Sequence, residues 1–197
     1  MALRSHSPVE RTSDAPIRMK GISFDNAQRF VLDRFGEEPW QRVLERVGPD
    51  DRLELEGVVS VGWYDVYLYA RMLRAIDGCC GQGDLKLLQQ LGVFGAERDF
   101  NRTLRLLLRA LNPEAIVHAQ RRLWSHFHGA GAWEASVVPT GLRGVLRDWA
   151  SEPALCQQLV GYLTRLVEFT GGKHVNVLHP ECRGAGNAAC VFDVQYR

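Results

Sequence analysis

Residues 173–196, KHVNVLHPECRGAGNAACVFDVQY, decide the fold. Two short stretches, 173–179 and 189–196, alternate in polarity on either side of a glycine-rich loop. Val175, Val177 and His179 share one face of the first, and Cys190, Phe192, Val194 and Tyr196 share one face of the second, because successive strand side chains point to opposite sides. The reading is an antiparallel pair with His179 and Cys190 at the strand ends that flank the loop. Cys182 lies inside that loop, where Gly184 and Gly186 can take positive φ and turn backbone N–H groups toward a sulfur. Upstream, Ser151 and Pro153 open a long helix that Gly171-Gly172 ends. Its apolar stripe is Cys156, Leu159, Leu163, Leu166 and Val167, so Cys156 faces inward. Thiolate and neutral imidazole are the ligands zinc prefers, and four protein ligands leave no open position, so Cys156, His179, Cys182 and Cys190 read as a structural zinc site. A plainer reading of the same residues makes Cys156 a buried apolar thiol and His179 an ordinary strand-end residue.

Further upstream, 133–138 and 143–149 are β-compatible and separated by Pro139-Thr-Gly141, which suggests a hairpin. Everything before reads as helix. One helix begins near Asp25 and stops at Gly36; the next starts at Pro39 and runs through Trp40, Val43, Leu44 and Val47 to the break at Gly48-Pro49. A third covers Asp65 to Asp77. Asp84 to Gln90 and Arg98 to Leu111 follow, and Asn112-Pro113 opens a helix to about Phe127. The expected fold is therefore α+β, with N-terminal helices packed on a small antiparallel sheet and a ββαββ C-terminal half. Residues 1–18 mix Ser, Pro, Arg and Asp without periodicity and read as a disordered tail, leaving 19–197 as one domain.

Composition narrows the function class. The net charge of +1 gives no general attraction to nucleic acid or acidic lipid. No apolar run approaches the ~20 residues that cross a bilayer, and the N-terminus lacks a secretory pattern, so a cytoplasmic address is expected. The odd count of 5 cysteines argues against a disulfide framework. No glycine-rich phosphate loop, no Gly-x-Ser-x-Gly elbow and no His-Glu-x-x-His occurs. Cys79 and Cys80 have no evident base partner, so no catalysis is expected. Arg98, Arg102, Arg105 and Arg109 fall on one helix face beside Arg121-Arg122, and Glu97 and Asp99 dilute them to a solvated stripe.

The pattern Cys156…His179-Pro-Glu-Cys182…Cys190-Val-Phe-Asp-Val resembles the C-terminal zinc site of two related families. These are the haem–nitric oxide/oxygen-binding (H-NOX) domains and the 4-vinyl-reductase-like ligand domains of aromatic-sensing transcription activators. In some members of each, the ligands are a helix-start cysteine, then His or Glu, Cys and Cys at near-identical spacing. Met19-Lys-Gly-Ile-Ser-Phe24, Trp40 with Val43-Leu44-Glu45, and Pro49-Asp-Asp-Arg52 resemble the start of H-NOX domains. Gly62-Trp-Tyr64 and the overall length are similar to an uncharacterised myxobacterial family of about 200 residues. These families share a fold with small vesicle-tethering subunits of the TRAPP complexes.

The resemblance implies a zinc-stapled ligand or haem domain. Its haem-bearing members would place a ligating histidine on the helix before the sheet and a Tyr-x-Ser-x-Arg motif on the propionates. Here that motif falls on Trp149-Ala-Ser151-Glu-Pro153, where proline offers neither charge nor N–H. The proximal position falls near Pro113, with His118 the nearest imidazole. The usual haem grip is missing. A pocket between helices and sheet remains, and Trp124, Phe127, Trp133 and Trp149 cluster where it would lie, with His118, His126 and His128 as polar tips. Aromatic residues at these spacings equally suit a filled core. The expectation is a non-enzymatic sensory or regulatory domain with structural zinc, a small apolar or aromatic ligand, a protein partner and a possible homodimeric state. The alternatives are an interaction scaffold without ligand and a haem-based gas sensor.

Overall fold

A computed structural model describes residues 16–150 and 152–197; the tail expected over residues 1–18 lies outside it as far as residue 15, and so does Ser151. The chain opens with strand β1 (Arg18–Lys20) and helices α1 (Ile22–Phe35), α2 (Glu37–Val47) and α3 (Pro49–Glu56). Strand β2 (Trp63–Asp65) leads into α4 (Val66–Cys80), α5 (Lys86–Asp99), α6 (Arg102–Arg109) and α7 (Ala115–Phe127). The C-terminal half is β3 (Ala132–Val138), β4 (Gly141–Arg147), α8 (Pro153–Phe169), β5 (Asn176–Glu181) and β6 (Cys190–Gln195). These last four strands form one antiparallel sheet in the order β3-β4-β6-β5. The architecture is α+β, with ββαββ completing it.

Local chemistry sets most boundaries. Asp65 caps α4 by accepting from the Tyr67 amide at 3.0 Å, and Asn101 caps α6 by accepting from the Leu104 amide at 2.9 Å. Proline stands in the first turn of both α3 and α8, where its missing N–H is not needed. Three differences from the sequence expectation have physical causes. Gly48-Pro49 is both a stop and a start: Gly48 turns at φ 90° and Pro49 opens α3, where the sequence suggests only a break. The β1–β2 ladder pairs Arg18 with Asp65 through Lys20 with Trp63, and strands of three residues are too short to show alternation. Arg18, expected in the tail, belongs to it.

The third difference carries the architecture. Residues 86–99 form one helix instead of stopping near Gln90, although Gly92 and Gly95 weaken helical propensity. Here α5 lies against α8 so closely that a Cβ on Gly92 would meet the Gln158 carbonyl oxygen at 2.0 Å, and one on Gly161 would meet the Gln89 carbonyl oxygen at 1.8 Å. Backbone touches backbone, and only glycine fits at either point. The main core forms around this pair, with Phe30, Tyr69, Leu73, Ile76, Leu88 and Phe192 fully buried. Because Asn101 starts a new helix, Arg98 on α5 and Arg102, Arg105 and Arg109 on α6 do not form one continuous stripe.

Substituting Gly161→Ala should therefore force the two helices apart and destabilise the domain by about 1–3 kcal/mol or more, read as a lower urea midpoint. Ala at Gly171, whose Cβ would meet nothing within 4 Å but whose φ is 94°, reports backbone strain alone and serves as the comparison.

Candidate functional site

The first turn of α8, the end of β5, the loop after it and the start of β6 bring Cys156, His179, Cys182 and Cys190 together, with all four ligand atoms within 4.8 Å of one another. Cys156 and Cys190 are buried, and His179 and Cys182 half-buried. The Cys156 sulfur lies 3.6 Å from that of Cys190 and 3.9 Å from that of Cys182. A zinc–sulfur bond of about 2.3 Å in tetrahedral geometry sets the sulfur–sulfur edge at about 3.8 Å, and a disulfide needs about 2.05 Å. The observed spacings match the first and exclude the second.

The imidazole is equally prepared. His179 Nδ1 lies 2.8 Å from the Val191 carbonyl, which can only accept, so Nδ1 keeps its proton and Nε2 is the nitrogen a metal would take by displacing a proton. That Nε2 is buried and has no hydrogen-bond partner. An N–H···O=C bond behind a ligating imidazole is the common way a metal site fixes its tautomer. The Arg183 amide approaches the Cys190 sulfur at 3.4 Å, in the short 3-10 turn that the loop forms. Pro180 cannot donate to the ladder, and a register shift between Leu178 and Glu181 lets the strand turn His179 and Cys182 toward the sulfurs. Of the Cys156–Cys190 pair, Cys190 ionises first: its hydrogen bond from Cys156 draws it down against burial, with His179 assisting. Cys156 moves the other way, pushed up by the same bond and by burial. Burial pulls the His179 imidazole down, but the sulfurs of Cys190 and Cys182 and the Val191 carbonyl outweigh it and hold it at about 9. The four residues thus form a cluster that could hold a metal ion such as zinc.

A cavity of about 120 Å³ lies between α7, α8 and the sheet, partly open to solvent. Trp124, Phe127 and Trp133 line it; Trp149 does not. Trp149 packs edge-on behind the wall, with its ring 5.0 Å from Trp124 and 4.8 Å from His128, because β4 ends at Arg147 and carries it off the sheet. Of the three histidines expected as polar tips, His118 and His126 are exposed on the outer face of α7, and His128 lines the cavity. Two lining residues lie outside the sequence expectation. Gln120 lies one and two turns before Trp124 and Phe127 on the same helix face, a spacing that would have found it. Its amide nitrogen approaches the Trp133 carbonyl at 3.5 Å and its buried Oε1 has no partner. Asp99 belongs by sequence to a solvated face, and no sequence signal contradicts that. Burial holds its carboxyl above the usual range, against the hydrogen bonds from Asn26 at 2.8 Å and Tyr162 at 3.0 Å.

Cavity and cluster are joined by aromatic stacking. His128 lies 3.7 Å from Trp124, Trp124 5.5 Å from Trp133, Trp133 5.6 Å from Phe192, and Phe192 4.4 Å from His179, with planes 16–25° apart throughout.

No family model matches the chain, and no curated protein does. Solved structures do. An H-NOX protein from S. oneidensis in the Fe(II)NO ligation state aligns at 19% identity and TM-score 0.67, covering 91% of this chain and 99% of that one. The Fe(II) unliganded H-NOX protein from K. algicida aligns at 14% identity and TM-score 0.69, covering 91% and 97%. An NMR structure of an H-NOX domain from Shewanella oneidensis in the Fe(II)CO ligation state gives 16% and 0.60, covering 91% and 99%. The architecture is the H-NOX fold.

The fold's haem does not fit these residues. The cavity face of α7 carries Ile116, Val117, Gln120, Leu123, Trp124 and Phe127, with no imidazole, while His118 points elsewhere and Pro113 precedes the helix. Pro153 is the first residue of α8 and offers the propionates nothing. A cavity of about 120 Å³ is in the size class of the ~150 Å³ site that holds benzene, below the ~300–1,000 Å³ of larger ligand sites. His128, set into the cavity wall, is pulled down to about 4 by desolvation, against the helping Trp124 carbonyl.

The unfolded chain binds that proton near the ordinary 6.5 and the folded domain only near 4, so stability is whole above about 6.5 and falls as pH drops toward 4. The loss should approach about 3 kcal/mol. Urea midpoints measured from pH 7.5 to 4 should fall less steeply for His128→Phe than for the wild type, the metal-cluster titration being common to both.

Proposed function

We propose that this protein is a non-catalytic sensory or regulatory domain, held together by a structural zinc ion, that binds a small aromatic ligand and signals to a protein partner. Cys156, His179, Cys182 and Cys190 would hold the zinc. The ion's contribution is to clamp the first turn of α8 to the β5–β6 loop, since four protein ligands leave it no position for water or substrate. Cys79 and Cys80 supply no alternative chemistry: both are half-buried, and burial followed by the neighbouring Cys79 raises the Cys80 thiol.

The observation that carries the ligand reading is the cavity with Trp124, Phe127 and Trp133 on its walls and the partnerless Gln120 Oε1 in its lining. Signalling follows from how weakly its outer wall is anchored. Neither α6 nor α7 contributes a fully buried side chain. A ring inserted beneath α7 adds apolar contact to a helix whose Ile116, Val117 and Trp124 are only partly buried, and so favours one packing of α6–α7 over others. Leu104, Leu106, Leu107 and Leu111 are exposed along the same segment, a surface a partner would read. That leucine face also favours the scaffold reading, in which the domain engages a protein without any small molecule. Among the described residues no nucleophile and base are paired outside the metal cluster, and the cavity face of α7 carries no imidazole for a haem.

Two measurements test this. Elemental analysis of freshly purified protein should give one zinc per chain, and Cys182→Ala or His179→Ala should reduce it well below one while Cys79→Ala leaves it intact; metal-free wild type would overturn the clamp. Toluene and phenol, titrated and followed by tryptophan emission, should saturate at one per chain, and Ala135→Phe, which fills the cavity, should abolish the response. No saturable binding would leave the scaffold reading standing.

A further inference from the structure

A cavity selects its ligand by the hydrogen-bonding sense of its lining. Asp99, at the end of α5, takes the Asn26 amide on Oδ1 at 2.8 Å and the Tyr162 hydroxyl on Oδ2 at 3.0 Å. Both partners are neutral, and among the described residues the carboxylate has no ion-pair partner. Arg98, the next residue, is engaged elsewhere: its Nε donates to Asn26 Oδ1 at 2.7 Å and its second nitrogen reaches Asp25 at 3.3 Å. Arg98 and His126 favour its charge only from a distance, and a half-buried carboxylate with no directly paired cation is costly unless something cationic completes it.

The remaining polar atoms point the same way. Tyr162 gives its proton to Asp99 and keeps oxygen lone pairs. Gln120 turns its amide nitrogen to the Trp133 carbonyl, which leaves Oε1 as the free end. The proton of His128 lies on Nδ1, 3.2 Å from the Trp124 carbonyl, so Nε2 is an acceptor. The Trp124 indole N–H is taken by the Ala130 carbonyl at 2.8 Å. Ser23 and Gln158 bring side chains that both donate and accept, and against these acceptors the Trp133 indole N–H is the one donor-only group of the lining without a partner among the described residues.

We propose that the cavity is selective for a one-ring aromatic amine, with the ring against the tryptophan wall and the ammonium set on the Asp99 carboxylate. Phe100 and Tyr162, with ring centroids 6.4 Å apart, line the same cavity, Tyr162 with its hydroxyl on that carboxylate. A phenol would bring one donor and no charge; toluene would bring neither. The selectivity rests on the reading of this cavity as a ligand site, and the experiment separates the two.

Isothermal titration of the zinc-loaded full chain at pH 7.5 with benzylamine, phenol and toluene is the test. A charge-assisted contact contributes about 1.5–3 kcal/mol, so benzylamine should bind about ten- to hundredfold tighter than toluene. Asp99→Asn should remove most of that advantage while leaving toluene unchanged. Toluene or phenol binding as tightly as benzylamine would overturn the amine selectivity and leave the ligand site standing. An advantage that survives in Asp99→Asn would overturn the assignment to this carboxylate. Failure of all three compounds to bind would overturn the ligand site and the selectivity together. If Asp99→Asn does not fold, the three-compound series on the wild-type chain decides the amine selectivity.

Discussion

Two glycines set the distance on which the rest depends. Gly92 and Gly161 let α5 and α8 approach until backbone meets backbone. That contact places α8 so that its first turn delivers Cys156 to the sheet edge while Leu159, Tyr162 and Leu163 face the cavity. One helix therefore serves both sites: the absence of side chains sets how closely it approaches α5, and bonds such as Tyr162 to Asp99 at 3.0 Å hold it there. Packing at interior density transmits such a constraint faithfully, because a helix held this way has no slack in which to shift.

The C-terminal half was legible because its chemistry and its periodicity agree. Alternation over 173–179 and 189–196 fixed the faces, and the same faces put His179 and Cys190 together; the structure places all four cluster residues within 4.8 Å. The N-terminal half was legible in kind but not in boundary. Gly48-Pro49 signals a stop and equally a start, and glycines inside α5 look like a break until the partner helix that requires them is seen. The β1–β2 ladder is too short to carry a pattern. At the cavity, Trp124, Phe127 and Trp133 were legible as aromatic clustering, but Trp149 lies behind the wall because a strand ended two residues before it. Asp99 was invisible for a deeper reason. Its environment is made by Asn26 and Tyr162, which lie 73 and 63 residues away in the chain.

The departure from a haem-bearing version of the fold is local. Among the described residues no imidazole on α7 and no cation at Pro153 would grip a porphyrin, and Trp124, Trp133 and Phe192 line a volume of one ring's size. The fold as a whole is shared, at TM-scores of 0.67 and 0.69. Filling part of such a cavity with indole rings keeps apolar burial high while narrowing what can enter.

The continuous pile of rings from His128 through Trp124, Trp133 and Phe192 to His179 has an optical consequence. Two indoles 5.5 Å apart with planes 25° from parallel share their excited states. The near-ultraviolet circular dichroism of the domain then belongs to the pile as a whole, so that tilting one ring at either end changes a single chiral band.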